Sequence, residues 1–162
     1  MRIIVLSDTH GAVHRLNNIV KKHLHDADLF LHLGDGAKEW LDLSNNYPQL
    51  NMKMVSGNCD SNIYNLPNEL ILNEEGYSIL ASHGDLYQVK FGLDNIIRRA
   101  KEISAAIILY GHTHQSFTNY QDGIYIFNPG SLGRPSCGIP SYGILDLTSN
   151  GVVCSIAEEK FL

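Results

Sequence analysis

The sequence predicts a mixed α/β domain whose later strands run antiparallel. Three observations lead to it: short apolar runs along the first two thirds, helical apolar spacing between them, and turn chemistry that closes two hairpins in the last third. The chain has 162 residues, 44% of them hydrophobic and 18% charged, which reads as one domain, 1–162, able to bury a substantial core.

Ile3 to Leu6 is wholly apolar, as expected of a strand covered on both faces. From Ala12 to about His25, Val13, Leu16, Ile19, Val20 and Leu24 recur at helical spacing. Leu29 to Leu33 reads as a second strand, Ala37 to Leu43 as a short helix carrying Trp40, and Met52 to Val55 as a third strand. Asn62 to Leu72, with Pro67, reads as a connection or short edge strand. A strand over Tyr77 to Ala81, a helix over Leu93 to Ile103 and a strand over Ala105 to Tyr110 follow. Two hairpins close the chain: Phe117–Tyr120 with Ile124–Phe127 around Gln121-Asp122-Gly123, and Ser141–Leu147 with Val152–Ile156 around Thr148–Gly151. His14, His23 and His25 are expected on the surface of the first helix, and Trp40, Tyr77, Tyr87 and Phe91 are expected to pack.

A formal charge of −5, with no basic stripe, argues against stable nucleic acid binding. Cys59, Cys137 and Cys154 match neither a disulfide framework nor a zinc ribbon, which favours a reducing compartment. No apolar stretch reaches the roughly 20 residues of a membrane helix, and the opening run is too short for a signal peptide core. The expectation is a cytoplasmic protein without membrane contact.

The chemistry is positional. Five apolar strands each run into a potential metal ligand: Asp8 and His10, then Asp35, Asn58, His83, and finally His112 with His114. If these strands share a sheet, their carboxyl ends open on one crevice, where ligands bind in α/β folds. Gly34, Gly57, Gly84 and Gly111 beside them let the backbone approach a ligand closely. Any one of these residues could instead cap a helix or form a turn, as Asp8 and Asn58 readily do; the ordered set is harder to explain that way. Carboxylate, imidazole and amide donors suit Mn²⁺, Fe, Co²⁺ or Zn²⁺, and seven candidates suit two ions sharing a carboxylate. His32, inside its strand, reads as a core histidine or a partner of the ligands.

The blocks Asp8-Thr9-His10, Gly34-Asp35, Gly57-Asn58-Cys59-Asp60, His83 and Gly111-His112-Thr113-His114 resemble the calcineurin-like metallophosphoesterases in order and over nearly the whole chain. Short length and Asn128-Pro129-Gly130-Ser131 are similar to the small YfcE-type phosphodiesterase branch. The resemblance implies two packed mixed sheets flanked by helices, a four-layer αββα sandwich. It implies that Asp8, His10 and His114 bind one divalent ion and Asn58, His83 and His112 a second, with Asp35 bridging. Mn²⁺ is the expected metal, with Fe, Zn²⁺, Ni²⁺ and Co²⁺ as alternatives. Asp35, Asn58, His112 and Asp60 form the expected catalytic group. Ser131 or Arg134 is expected near phosphate. Two positions depart from the pattern: Cys59 stands where larger members carry histidine, and Gly84-Asp85 where some relatives have Gly-His.

The activity so implied is hydrolysis of a small phosphate diester by in-line attack of a hydroxide held between the ions. Two dications, two carboxylates and a hydroxide leave about one positive charge, which a singly charged diester neutralises and a doubly charged monoester overshoots. The alternatives are a phosphomonoesterase acting on a nucleotide or sugar phosphate, and a non-catalytic scaffold resembling a retromer subunit of the same fold. The resemblance also allows a homodimer.

Overall fold

The computed structural model describes residues 1–61, 63 and 65–160. Asn62 and Tyr64, within the turn-rich stretch expected from Asn62, lie outside the described residues. Ten strands form two five-stranded mixed sheets. The first has the order β10-β9-β1-β2-β3, built from β1 (Arg2–Leu6), β2 (Leu29–His32), β3 (Met52–Met54), β9 (Ser141–Thr148) and β10 (Gly151–Glu158). The second has the order β4-β5-β6-β8-β7, built from β4 (Glu69–Glu74), β5 (Tyr77–Ser82), β6 (Ile107–Leu109), β7 (Ser116–Gln121) and β8 (Ile124–Pro129). β1, β2 and β3 pair in parallel, as do β5, β6 and β8, while the flanking strands pair antiparallel.

Side chains alternate across each strand, so one apolar run feeds two layers. Ile3 and Val5 join Leu31, Ile79, Ile107, Phe127 and Leu145 between the sheets. Ile4 and Leu6 point the other way, onto Leu16, Ile19 and Val20 of α1 (Val13–Lys22) and Trp40 of α2 (Ala37–Asn46). On the far face of the second sheet, Leu80, Ile108 and Ile126 pack against Ile96 and Ala100 of α3 (Asp94–Glu102). The layers are therefore α, β, β, α, as the resemblance implied.

The five ligand-bearing strands do not share one sheet. β1, β2 and β3 belong to the first and β5 and β6 to the second. Their carboxyl ends meet at one edge of the sandwich, where His83 Nδ1 donates to the Leu33 carbonyl across the gap at 2.7 Å. A third hairpin, β4–β5, was not expected. It turns on Glu75 and Gly76, both at positive φ, the backbone of a tight two-residue turn that glutamate rarely announces.

Two expected surface or core assignments are reversed. His23 is buried just past the end of α1, between Asp26 and the hydroxyl of Tyr142. Phe91 is 92% exposed and packs on nothing. His14 and His25 are exposed and Trp40 is buried, as expected. All three cysteines are free. Among the described residues no helix is long and apolar enough to cross a membrane.

Gly143, in the middle of β9, leaves the space that the Phe127 ring fills from the opposite sheet; a Cβ there would run into Cε1 and Cζ of that ring. Gly143→Ala is expected to lower stability by about 1–3 kcal/mol through overpacking, read as a reduced midpoint in urea. A second change, Phe127→Leu, should recover part of that loss, because the two sites share one volume. An unchanged midpoint in Gly143→Ala would refute this account of the inter-sheet packing.

Candidate metal centre

The site is built from five loops, those after β1, β2, β3, β5 and β6, and four of them are stitched in pairs by backbone. The Asp8 N–H donates to the Gly34 carbonyl at 3.0 Å and the His10 N–H to the Asp35 carbonyl at 3.1 Å. The Gly111 N–H donates to the His83 carbonyl at 3.0 Å, joining the two loops of the second sheet. These contacts demand unusual backbone. Asp8, His10, Asp35, His112 and His114 all have positive φ, between 43° and 67°, a region that side chains with a Cβ seldom occupy. Such strain gathers where the surrounding structure over-determines it, typically at functional sites.

Two clusters of donor atoms result. In the first, His10 Nε2 and His114 Nε2 are 3.2 Å apart, and Asp8 Oδ1 is 3.1 Å from His114 Nε2. In the second, His83 Nε2 lies 3.1 Å from both Asn58 Oδ1 and His112 Nδ1. Asp35 Oδ2 stands between them, 3.8 Å from His10 Nε2 and 3.5 Å from His83 Nε2. All seven expected ligands therefore converge.

The donor chemistry fits cations. Asp8 is fully buried, and its Oδ1 makes no well-directed hydrogen bond, with His114 Nε2 beside it at 3.1 Å, a costly state for a carboxylate oxygen unless a cation compensates it. Its other oxygen is occupied by the Ser7 hydroxyl at 2.5 Å and the His112 N–H at 3.1 Å. Because His83 Nδ1–H donates to Leu33, the neutral ring turns the Nε2 lone pair toward the Asn58 and Asp35 oxygens. Acceptors facing acceptors repel; a shared ion removes the conflict.

Proton affinities move accordingly. Burial pushes the Asp8 carboxyl up, but His114, His83 and Ser7 together outweigh it and hold the group below its usual range. Burial lowers His10 and His112, keeping their lone pairs available, with Arg134 and Lys90 adding to the effect. The Asp8 carboxylate raises His114.

The close approaches expected of the glycines are real at all four: a Cβ on Gly34 would meet the Gly57 backbone and His83 Nδ1, and one on Gly84 the Val89 side chain. A Cβ on Gly57 would strike the Asp35 carboxylate and backbone, and one on Gly111 the Ser7 hydroxyl. His32 is fully buried, as expected of a core histidine. Its Nδ1 accepts the Gly34 N–H at 3.1 Å, so Nε2–H donates to the Thr9 hydroxyl at 2.5 Å. It thereby ties the Asp8-Thr9-His10 loop to the turn before Asp35, and burial lowers its pKa to about 4.

Other residues sit differently from the expectation. Asp60, expected in the catalytic group, is buried with both oxygens occupied. They accept the N–H groups of Asp35, Gly36, Ala37 and Gly57 at 2.8, 3.1, 3.0 and 2.9 Å. It caps α2, whose own N-cap is Gly36, and so acts as a positioning residue. Ser131, expected near phosphate, is buried: its hydroxyl donates to the Asp8 carbonyl and accepts the Arg134 N–H, each at 2.8 Å. Asn128, also buried, donates to the Gly111 carbonyl and the Thr113 hydroxyl and accepts the Gly130 N–H. Residue spacing gave no sign of Ser131 or Asp60 as props, because each acts on backbone groups distant in sequence, nor of Ser7, whose hydroxyl bonds the neighbouring Asp8 carboxylate.

Known proteins similar to this chain are named for phosphoester chemistry. A family model for the calcineurin-like phosphoesterase superfamily domain matches residues 1–150. The probable metallophosphoesterase YsnB of Bacillus subtilis is 34% identical over 152 residues, 93% of this chain and 86% of that protein. The phosphodiesterase YfcE of Escherichia coli is 34% identical over 112 residues, 64% of this chain and 55% of that protein. Among solved structures, a conserved Streptococcus pneumoniae protein described as a predicted phosphoesterase superposes with a TM-score of 0.82 at 25% identity, over 97% of this chain and 88% of that one.

Asp60→Ala removes the acceptor from four buried N–H groups. It is expected to cost about 3 kcal/mol or more in chemical denaturation and to lower metal content as the Asp35 loop loosens. A variant with wild-type stability would overturn the capping role.

Proposed function

The chain belongs to the calcineurin-like phosphoesterase superfamily, and from that membership we propose that it hydrolyses small phosphate diesters with two divalent metal ions. Asp8, His10 and His114 hold one ion, and Asn58, His83 and His112 the other. Asp35 is shared between them, and Mn²⁺ is the expected metal. The observation that carries this reading is the Asp35 carboxylate, 3.8 Å from His10 Nε2 on one side and 3.5 Å from His83 Nε2 on the other. When bound, the ions would supply Lewis acidity toward the phosphoryl oxygens and make a nucleophilic water available near neutral pH.

The chain's own groups set the rest. Asp8 and Asp35 offset only half the charge of two dications, so the centre attracts an anion. Asp85, close enough to act on His112, adds negative charge on that side, which penalises a doubly charged monoester more than a singly charged diester. Burial and the neighbouring Asp35 push the Cys59 thiol up to about 11, so it stays protonated at neutral pH. No histidine stands at that position to assist departure. Diesters with good leaving groups are therefore the favoured substrates. The phosphodiesterase name of YfcE and the metallophosphoesterase name of YsnB support the same class.

Metal-stripped protein should not hydrolyse bis-p-nitrophenyl phosphate, Mn²⁺ should restore turnover, and p-nitrophenyl phosphate should be turned over more slowly. Asp35→Asn should lose both ions together and more rate than the roughly 10–100-fold that removing a ligand's supporting partner costs. Full turnover without metal, or full metal content and rate in Asp35→Asn, would contradict the proposal.

A further inference from the structure

A third group of donor atoms lies on the flank of the centre. His10, Asp35 and Cys59 each present one, all within 4.8 Å of one another. The same three residues line a cavity of about 420 Å³ that also reaches Gly36, Lys38 and Ile63. The Cys59 N–H donates to Asp35 Oδ1 at 2.7 Å, which fixes the cysteine backbone against the shared carboxylate. Cys59 is exposed, and its sulfur takes a 3.4 Å contact from the Asn58 amide. On the other side of His10, 3.8 Å from its Nε2, is the buried Asp8 Oδ1. That imidazole is thus flanked by two carboxylates, Asp8 and Asp35, with a sulfur close by.

We infer that Cys59 is a conditional metal ligand: a thiophilic ion such as Zn²⁺, Co²⁺ or Cd²⁺ held by His10 and Asp35 takes the Cys59 sulfur as a further donor, whereas Mn²⁺ does not. The inference rests on the reading of His10 and Asp35 as metal ligands. Its physical basis is ligand softness. Thiolate donors select the softer ions and contribute little to Mn²⁺, which prefers carboxylate and water oxygen. With Zn–S bonds of about 2.3 Å and Zn–N and Zn–O bonds near 2.0–2.2 Å, donors that share one ion lie about 4 Å or less apart, close to the spacing of these three, which are all within 4.8 Å of one another. On coordination the S–H bond breaks, its proton passes to solvent, and the sulfur lone pair forms the bond to the ion; no electron is transferred. Cys59 thereby makes one side of the centre discriminate between metals, holding soft ions more tightly than the oxygen and nitrogen donors alone.

The test uses the full chain, reduced and metal-free, titrated with Co²⁺ and followed in the near ultraviolet for sulfur-to-cobalt charge transfer. Cys137, which lines a separate pocket with His114, supplies the control. The expected result is a charge-transfer band in wild type and in Cys137→Ser that is lost in Cys59→Ser. Calorimetric titration should show Cd²⁺ affinity on the order of 10-fold weaker in Cys59→Ser, with Mn²⁺ affinity unchanged. Two Co²⁺ ions bound without the band, or a band surviving Cys59→Ser, would overturn the inference and leave the dinuclear reading intact. Failure of the folded protein to bind Co²⁺ would overturn both.

Discussion

The structure turns on a concentration of uncompensated electron pairs at the edge where two sheets meet. Asp8 Oδ1, Asp35 Oδ2, Asn58 Oδ1 and the imidazole nitrogens of His10, His83, His112 and His114 face one another within hydrogen-bond distance or little more. Lone pairs brought this close repel one another unless positive charge lies between them. Low local polarity makes the repulsion costly, and positive charge is the physical remedy. The positive φ of five of these residues is the conformational cost of aiming them together.

The rest of the molecule holds that geometry. The inter-sheet core from Ile3 to Leu147 locks the sheets face to face, so the ends of β1, β2 and β3 are presented to the ends of β5 and β6. Rigid packing lets strained loops persist. The loops are then tied by groups that carry no chemistry of their own. Asp60 gathers four N–H groups, His32 joins Thr9 to Gly34, Ser131 holds the Asp8 carbonyl, and Asn128 braces the Gly111 loop. Ligand orientation depends on this outer layer as much as on the ligands.

Much of the site was legible in the sequence, because the candidate metal ligands follow a local rule: a polar residue within three positions of the end of a short apolar strand. Asp8, Asp35 and His83 obey it plainly. The layered fold came from the resemblance, since nothing in Ile107–Leu109 or Leu29–His32 says which sheet a strand joins. Sheet membership is a tertiary choice made by packing, and the ligand-bearing strands divide between the two sheets. The β4–β5 hairpin was missed because Glu75 adopts positive φ without the asparagine or aspartate that usually signals it. The capping role of Asp60 was not legible because three of its four backbone donors lie 23 to 25 residues away. His23 and Phe91 were misplaced for a simpler reason: residue type fixes burial only on average.

The most direct test of this account is anomalous diffraction from crystals of the protein soaked in Mn²⁺. Two manganese peaks flanking the Asp35 carboxylate are expected, one beside His10 and His114 and one beside His83 and His112. Well-ordered crystals with those side chains in place and no manganese between them would contradict it.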